Sequence, residues 1–142
     1  MDNDLSRRGF ICGALALAVT GMDTALLAEG AQAASGVKVL KSGKVEVTIA
    51  KVPALAKVGG AALVGNVKGV PVALVRISAQ GFKALNLICR HQGATVELNG
   101  TKWVCPRHGS EYALNGALQI GPSTKPLLAL PAKVTKKTVT IG

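Results

Sequence analysis

The chain has 142 residues, of which 49% are apolar, 17% charged and 3% aromatic, and its formal net charge is +10. One domain of ordinary size fits this length and two substantial ones do not, while the aliphatic content supports a packed core and excludes a disordered polyelectrolyte. The charge is uneven: residues 1–33 sum to −2, and the remainder holds 15 Lys or Arg against Glu46, Glu97 and Glu111, a net +12 that favours acidic partners or surfaces.

At the N-terminus, Leu5-Ser6-Arg7-Arg8-Gly9-Phe10-Ile11-Cys12 leads into an Ala/Gly/Leu-rich run that ends at Met22, and Ala31-Gln32-Ala33 supplies small residues at cleavage-site spacing. A charged start, an apolar middle and an A-x-A end have the layout of an export signal. Arg7-Arg8 resembles the twin-arginine type, a route that carries folded proteins. Residues 1–33 are therefore expected to direct export to the periplasm or the outer face of the cytoplasmic membrane. A retained anchor is the competing reading, but the apolar run from Gly9 to Met22 falls short of the ~20 residues that a spanning helix needs. No spanning helix is expected in the mature chain, 34–142. Cys12 reads as apolar filler within the leader.

Beyond residue 34 the pattern has period two, broken by Gly and Pro. Lys44 to Ile49 alternates as a half-buried strand does. Val70 to Ile77 is a denser run, with Pro71 at a position suited to a strand start or an edge. Val52 to Gly60 reads as a loop, and Lys83 to Ile88 as a strand feeding Cys89. Thr95–Leu98 and Thr101–Val104 flank Asn99-Gly100, a strong two-residue hairpin signal. Lys133 to Ile141 predicts a final hairpin turning at Lys136-Lys137. Sustained helical periodicity is missing throughout, so the fold class is all-β.

One window concentrates the chemistry. Cys89-Arg90-His91 is followed after 13 residues by Cys105-Pro106-Arg107-His108-Gly109-Ser110, and these loops hold both mature cysteines and both histidines of the chain. In an extended loop, residues two apart face the same way, which lets Cys89 and His91 share one centre. The hairpin between the loops brings the second pair alongside. Two thiolates and two imidazoles suit an iron–sulfur centre or zinc. A disulfide between Cys89 and Cys105 would leave the histidines unexplained, and structural zinc sites more often pair Cys with Cys and His with His.

Cys-x-His … Cys-Pro-x-His-Gly-Ser, followed by Gly121-Pro122-Ser123-Thr124-Lys125-Pro126-Leu127, resembles the Rieske iron–sulfur family over about Val70 to Pro131. The resemblance implies an antiparallel β-sandwich with a small cluster-binding subdomain, about 87–126, built from two loops and a proline loop that begins at Gly121 and Pro122. It implies one [2Fe–2S] cluster per chain, with Cys89 and Cys105 on the buried iron and His91 and His108 on the outer iron. Quinol-oxidising members of the family carry an extra cysteine in each loop, joined as a disulfide. Those positions read Ala94 and Arg107 here, and the residue after the first histidine, usually apolar in those members, is Gln92. Both departures weaken the case for a quinol-docking surface.

Four residues are expected to tune the centre. Ser110 and Tyr112 occupy positions from which, in high-potential relatives, hydroxyls bond to the cluster sulfurs. Arg90 and Arg107 lie inside the ligand loops. A unit charge ~10 Å away at an effective dielectric of ~20 contributes about 1.7 kcal/mol, or about 70 mV per electron before screening. The expected potential lies in the upper half of the range of roughly −150 to +300 mV spanned by His-ligated centres.

The resulting functional expectation is a one-electron carrier working outside the cytoplasmic membrane with an acidic redox protein such as a cytochrome. The alternative is the electron-transfer subunit of a larger oxidoreductase, such as an arsenite oxidase or a quinol-oxidising complex. Enzymatic activity by the chain alone is not expected. A Rieske-type oxygenase needs a second iron site, and the chain has no histidines to spare for one. Nucleic-acid binding fits poorly with four aromatic residues and an export signal, whereas a membrane surface remains compatible with the charge.

Overall fold

A computed structural model describes residues 35–142; the proposed export signal at 1–33 lies outside the described residues. Among the described residues, twelve strands form three antiparallel four-stranded sheets. The first sheet contains β1 (Val37–Val39), β2 (Val45–Thr48), β11 (Ala132–Val134) and β12 (Thr138–Ile141), in the order β1-β2-β12-β11. The second contains β3 (Ala61–Val67), β4 (Val70–Arg76), β5 (Phe82–Asn86) and β10 (Ala129–Leu130), in the order β10-β5-β4-β3. The third contains β6 (Glu97–Asn99), β7 (Lys102–Val104), β8 (Glu111–Ala113) and β9 (Leu118–Ile120), in chain order. Among the described residues, no helix is long and apolar enough to cross a membrane.

The second sheet is the middle layer, and its sequence shows why. Along β4, Val72 and Leu74 join one core with Val45, Val47, Val139 and Ile141 of the first sheet. The intervening Ala73 and Val75 join a second core with Trp103 and Tyr112 of the third sheet. A strand covered on both faces needs apolar residues at every position, which is why Val70 to Ile77 reads as a dense run. Pro71 lies at the start of this central strand, where its carbonyl accepts from the Leu87 N–H at 2.9 Å.

Several expectations hold in detail. Val45 and Val47 are fully buried while Glu46 and Thr48 face outward, as the alternation predicts. The final hairpin turns at Lys136-Lys137, closed by Thr135 N–H to Thr138 O at 2.8 Å. Two expectations need correction. Asn99 pairs directly with Lys102, so the β6–β7 turn consists of Gly100-Thr101, one residue later than Asn99-Gly100. Gly100 has φ +62°, which supplies the positive φ that a primed turn requires at its first central position. The predicted loop 52–60 contains a single-turn 3-10 helix, Pro53–Leu55, directly after another at Ile49–Lys51. Leu55 is fully buried there, and Arg76 donates to the Leu55 and Ala56 carbonyls at 3.0 and 2.9 Å.

The turn after β8 is packed tightly beneath the proline loop. Gly116 has φ +88°, and a Cβ at this position would lie 2.8 Å from Leu85 Cδ2. Its carbonyl accepts from the Leu127 N–H at 2.9 Å. Gly116→Ala combines backbone strain with overpacking and is expected to cost about 2 kcal/mol, read as a lower denaturation midpoint at unchanged slope.

Candidate metal centre

The two ligand loops are closed by the same pair of backbone bonds. Cys89 N–H donates to Ala94 O at 2.7 Å, and Gly93 N–H returns to Cys89 O at 3.1 Å. Cys105 N–H donates to Ser110 O at 2.8 Å, and Gly109 N–H returns to Cys105 O at 2.9 Å. Gly93 and Gly109 each have φ +77°, a conformation that an L side chain resists. Each loop is thus a tight ring with its cysteine at the base and its histidine on the crest. The bridge between Ile88 and Thr95 seals the neck of the first loop.

This geometry corrects the extended-loop picture. Residues 90–92 turn, so Cys89 points inward at 2% exposure while His91 is exposed. Cys105, also 2% exposed, and the exposed His108 repeat the division. Both thiols are free and belong to the second core, beside Leu87, Val96, Trp103 and Tyr112. The two imidazoles meet above them edge to face, with ring centroids 4.9 Å apart. The structure therefore brings all four sequence-predicted donors to one end of the third sheet, sulfurs below and nitrogens above. Among the described residues, no three His, Cys, Asp or Glu side chains converge as tightly as a single-ion cage demands.

The sulfur side is lined with donors. The Tyr112 hydroxyl lies 3.2 Å from Cys89 Sγ and donates to it whenever the sulfur is a thiolate. Burial pushes the Cys89 thiol up, but Tyr112, the His91 backbone N–H, Cys105 and Ser110 together hold it below its usual value. Burial and the bond to Cys89 hold the Tyr112 phenol above its usual value, against the opposing Ser123 side chain and Arg90 backbone N–H. Tyr112 stands opposite Trp103 across β7–β8, and Trp103 is anchored by its indole N–H to Leu114 O at 3.0 Å. A buried hydroxyl aimed at a sulfur by a strand that pairs on both sides needs little reorganisation to stabilise charge there.

The proline loop is tied to the second ligand loop by a contact that the sequence did not reveal. Ser123 N–H donates to Ser110 Oγ at 3.0 Å, and both serines are buried. Ser123 Oγ in turn donates to Lys125 O at 3.1 Å, shaping the loop beyond Gly121 and Pro122, whose peptide is cis. Gly121 and Pro122 themselves are exposed at the surface of the site. Arg90 and Arg107 are also exposed, each adjacent in sequence to one of the histidines. The closing glycine 93, unlike Gly109 of the quoted motif, is a position that sequence reasoning missed; a Gly four residues after each Cys was the available signal.

The donor set fits a [2Fe–2S] centre in chemistry and in arrangement. A sulfur pair sits in a low-dielectric core with hydroxyl and backbone N–H donors around it, and a separate nitrogen pair faces outward.

Comparison with known proteins agrees. The family model described as Rieske [2Fe–2S] domain matches residues 45–135. The cytochrome b6-f complex iron–sulfur subunit of Synechococcus elongatus is 35% identical over 98 residues, covering 66% of this chain and 55% of that protein. Subunit 1 from a Nostoc species is 31% identical over 100 residues, covering 68% of this chain and 56% of that protein. The chain thus spans about half the length of the curated relatives it matches. Among solved structures, the cyanobacterial plasma membrane Rieske protein PetC3 from Synechocystis PCC 6803 superposes with a TM-score of 0.50 at 24% identity, covering 71% of this chain and 87% of that one. The structure described as hyperthermophilic respiratory Complex III gives a TM-score of 0.54 at 23% identity, covering 66% of this chain and 71% of that one. At these identities the two superpositions establish the fold. The sheets, the motif-bearing loops and the family match over most of the described residues lead to one conclusion: this chain belongs to the Rieske [2Fe–2S] domain family and is homologous to cytochrome b6-f iron–sulfur subunits.

Proposed function

We propose that the chain is a one-electron carrier of fairly high potential, exported by the twin-arginine route to act outside the cytoplasmic membrane. Cys89 and Cys105 would hold one iron of the cluster, and His91 and His108 would hold the other. When bound, the cluster supplies reversible one-electron chemistry. The observation that carries the reading is an exposed, edge-to-face imidazole pair carried on the same two loops as two buried free thiols. The second core keeps water from the sulfurs, while the imidazoles give a short route to the surface. Tyr112 and Ser110 place hydroxyl dipoles at the sulfur end, where negative charge rises on reduction.

A second reading, the electron-transfer subunit of a larger oxidoreductase, draws support from relatives named as complex subunits. Gln92 and Arg107 make the exposed rim polar, and Ala94 and Arg107 leave no cysteine pair to clamp the loops, which favours a freely docking carrier over a quinol-oxidising subunit. Protein-film voltammetry of material from the periplasmic fraction tests the proposal. A reversible one-electron wave in an unaccompanied chain supports the carrier. Recovery only in complex with a large subunit supports the second reading.

A further inference from the structure

The +12 charge of residues 34–142 is spread over the whole body, and its three acidic residues lie on strands of the first and third sheets. Glu46 faces outward from β2, Glu111 pairs with Lys102 at 2.6 Å on the third sheet, and Glu97 lies on β6. The loops that surround the imidazoles, 87–96, 105–110 and 121–128, contain no acidic residue. They contain three exposed cations: Arg90 beside His91, Arg107 beside His108, and Lys125 in the proline loop. Among the described residues, none of these three side chains takes part in an ion pair or a hydrogen bond. The first two loops meet at the histidines, 4.9 Å apart, and the third is tied to the second through Ser123 N–H and Ser110 Oγ at 3.0 Å. The three cations are therefore carried by one joined platform around the electron exit, and their charge is not spent inside the molecule.

We infer that this ring of Arg90, Arg107 and Lys125 is a docking surface for an acidic redox protein whose electron-accepting edge is rimmed by carboxylates. The inference rests on the carrier reading and locates its partner contact. A partner must bring its own redox centre close to His91 and His108, so the charges that orient it are those next to the imidazoles. An anionic lipid surface could also attract these cations, but it would cover the imidazoles without offering an electron acceptor. Charge here accelerates encounter with anions and slows encounter with cations, and screening removes both effects.

The test uses the reduced full-length holoprotein and two inert one-electron oxidants of opposite charge. One electron passes from the protein to ferricyanide, giving ferrocyanide, or to a trimethylammonium-substituted ferrocenium, giving the ferrocene. The ratio of the two rates cancels changes in driving force, which matters because Arg90 and Arg107 also lie close enough to shift the potential. At low salt, the triple variant Arg90→Gln/Arg107→Gln/Lys125→Gln is expected to lower the anion-to-cation rate ratio about tenfold. Lys125→Glu alone, in the loop without metal ligands, is expected to lower it in the same direction. Lys38→Glu and Lys133→Glu, on the first sheet, should leave the ratio nearly unchanged. As an equilibrium readout, polyglutamate titrated into the oxidised protein should shift amide resonances of the three loops, and the triple variant should lose that response. Equal effects of the first-sheet and platform variants would overturn the inference while leaving the carrier intact, as would loss of anionic-vesicle binding in the triple variant with no change in the rate ratio. Failure of the wild-type protein to exchange electrons with either oxidant would overturn the carrier reading itself.

Discussion

Cys105→Ser is expected to yield protein without iron and without colour. Serine offers an alcohol where the site needs a thiolate, and an alcohol does not ionise at neutral pH in a pocket only 2% exposed. Cys89→Ser should behave in the same way, with the added loss of the sulfur that Tyr112 contacts at 3.2 Å. His91→Ala and His108→Ala remove exposed groups, so the sheets should persist while iron is depleted. Because a group that binds only the folded state stabilises it, each depleted variant should also melt at a lower temperature. Iron per chain, the visible spectrum and the melting temperature check all of this together. Full iron retention in Cys105→Ser would remove that residue from the ligand set.

The second large effect concerns the hydroxyls. Tyr112→Phe deletes the donor beside Cys89 Sγ, and Ser110→Ala deletes both a donor to that sulfur and the acceptor for Ser123 N–H. Hydrogen bonds to charged groups contribute about 1.5–3 kcal/mol, and only the part that strengthens on reduction moves the potential. With about 1 kcal/mol differential per bond, the double variant should lie about 90 mV below the parent. Ser110→Ala should additionally loosen the proline loop by leaving the Ser123 N–H buried without a partner. Voltammetry of the two single variants and the double checks the account, and an unchanged potential in the double would refute it.

Much of the site was legible in the sequence because the chain is so poor in alternatives. With both histidines and both cysteines of residues 34–142 in two short segments, thiolate or imidazole metal chemistry there had to involve Cys89, His91, Cys105 and His108. The alternation of Lys44 to Ile49 and the dense run of Val70 to Ile77 were legible for a related reason, since burial on one face or on two writes directly into the pattern. Other features depended on partners remote in sequence. Whether Asn99-Gly100 or Gly100-Thr101 forms the turn is set by the register of Leu98 against Trp103, not by the turn residues alone. The order in residues 52–60 comes from Leu55 entering the first core and from Arg76 reaching their carbonyls across about twenty residues of chain. The extended-loop picture failed because ring closure at Gly93 and Gly109 overrides the period-two rule locally. The link from Ser123 to Ser110 is a backbone donor, invisible in side-chain composition.

The central claim is a mixed sulfur and nitrogen ligand set around a pair of irons, and nitrogen hyperfine spectroscopy of the reduced protein tests it most directly. Protein labelled with 15N only in its histidine rings, reduced and frozen, is expected to show a rhombic iron–sulfur resonance coupled to imidazole nitrogens of both His91 and His108. Iron and inorganic sulfide should be present in equal amounts. A reduced-state signal without imidazole coupling, or a single closed-shell metal in place of iron and sulfide, would contradict the account.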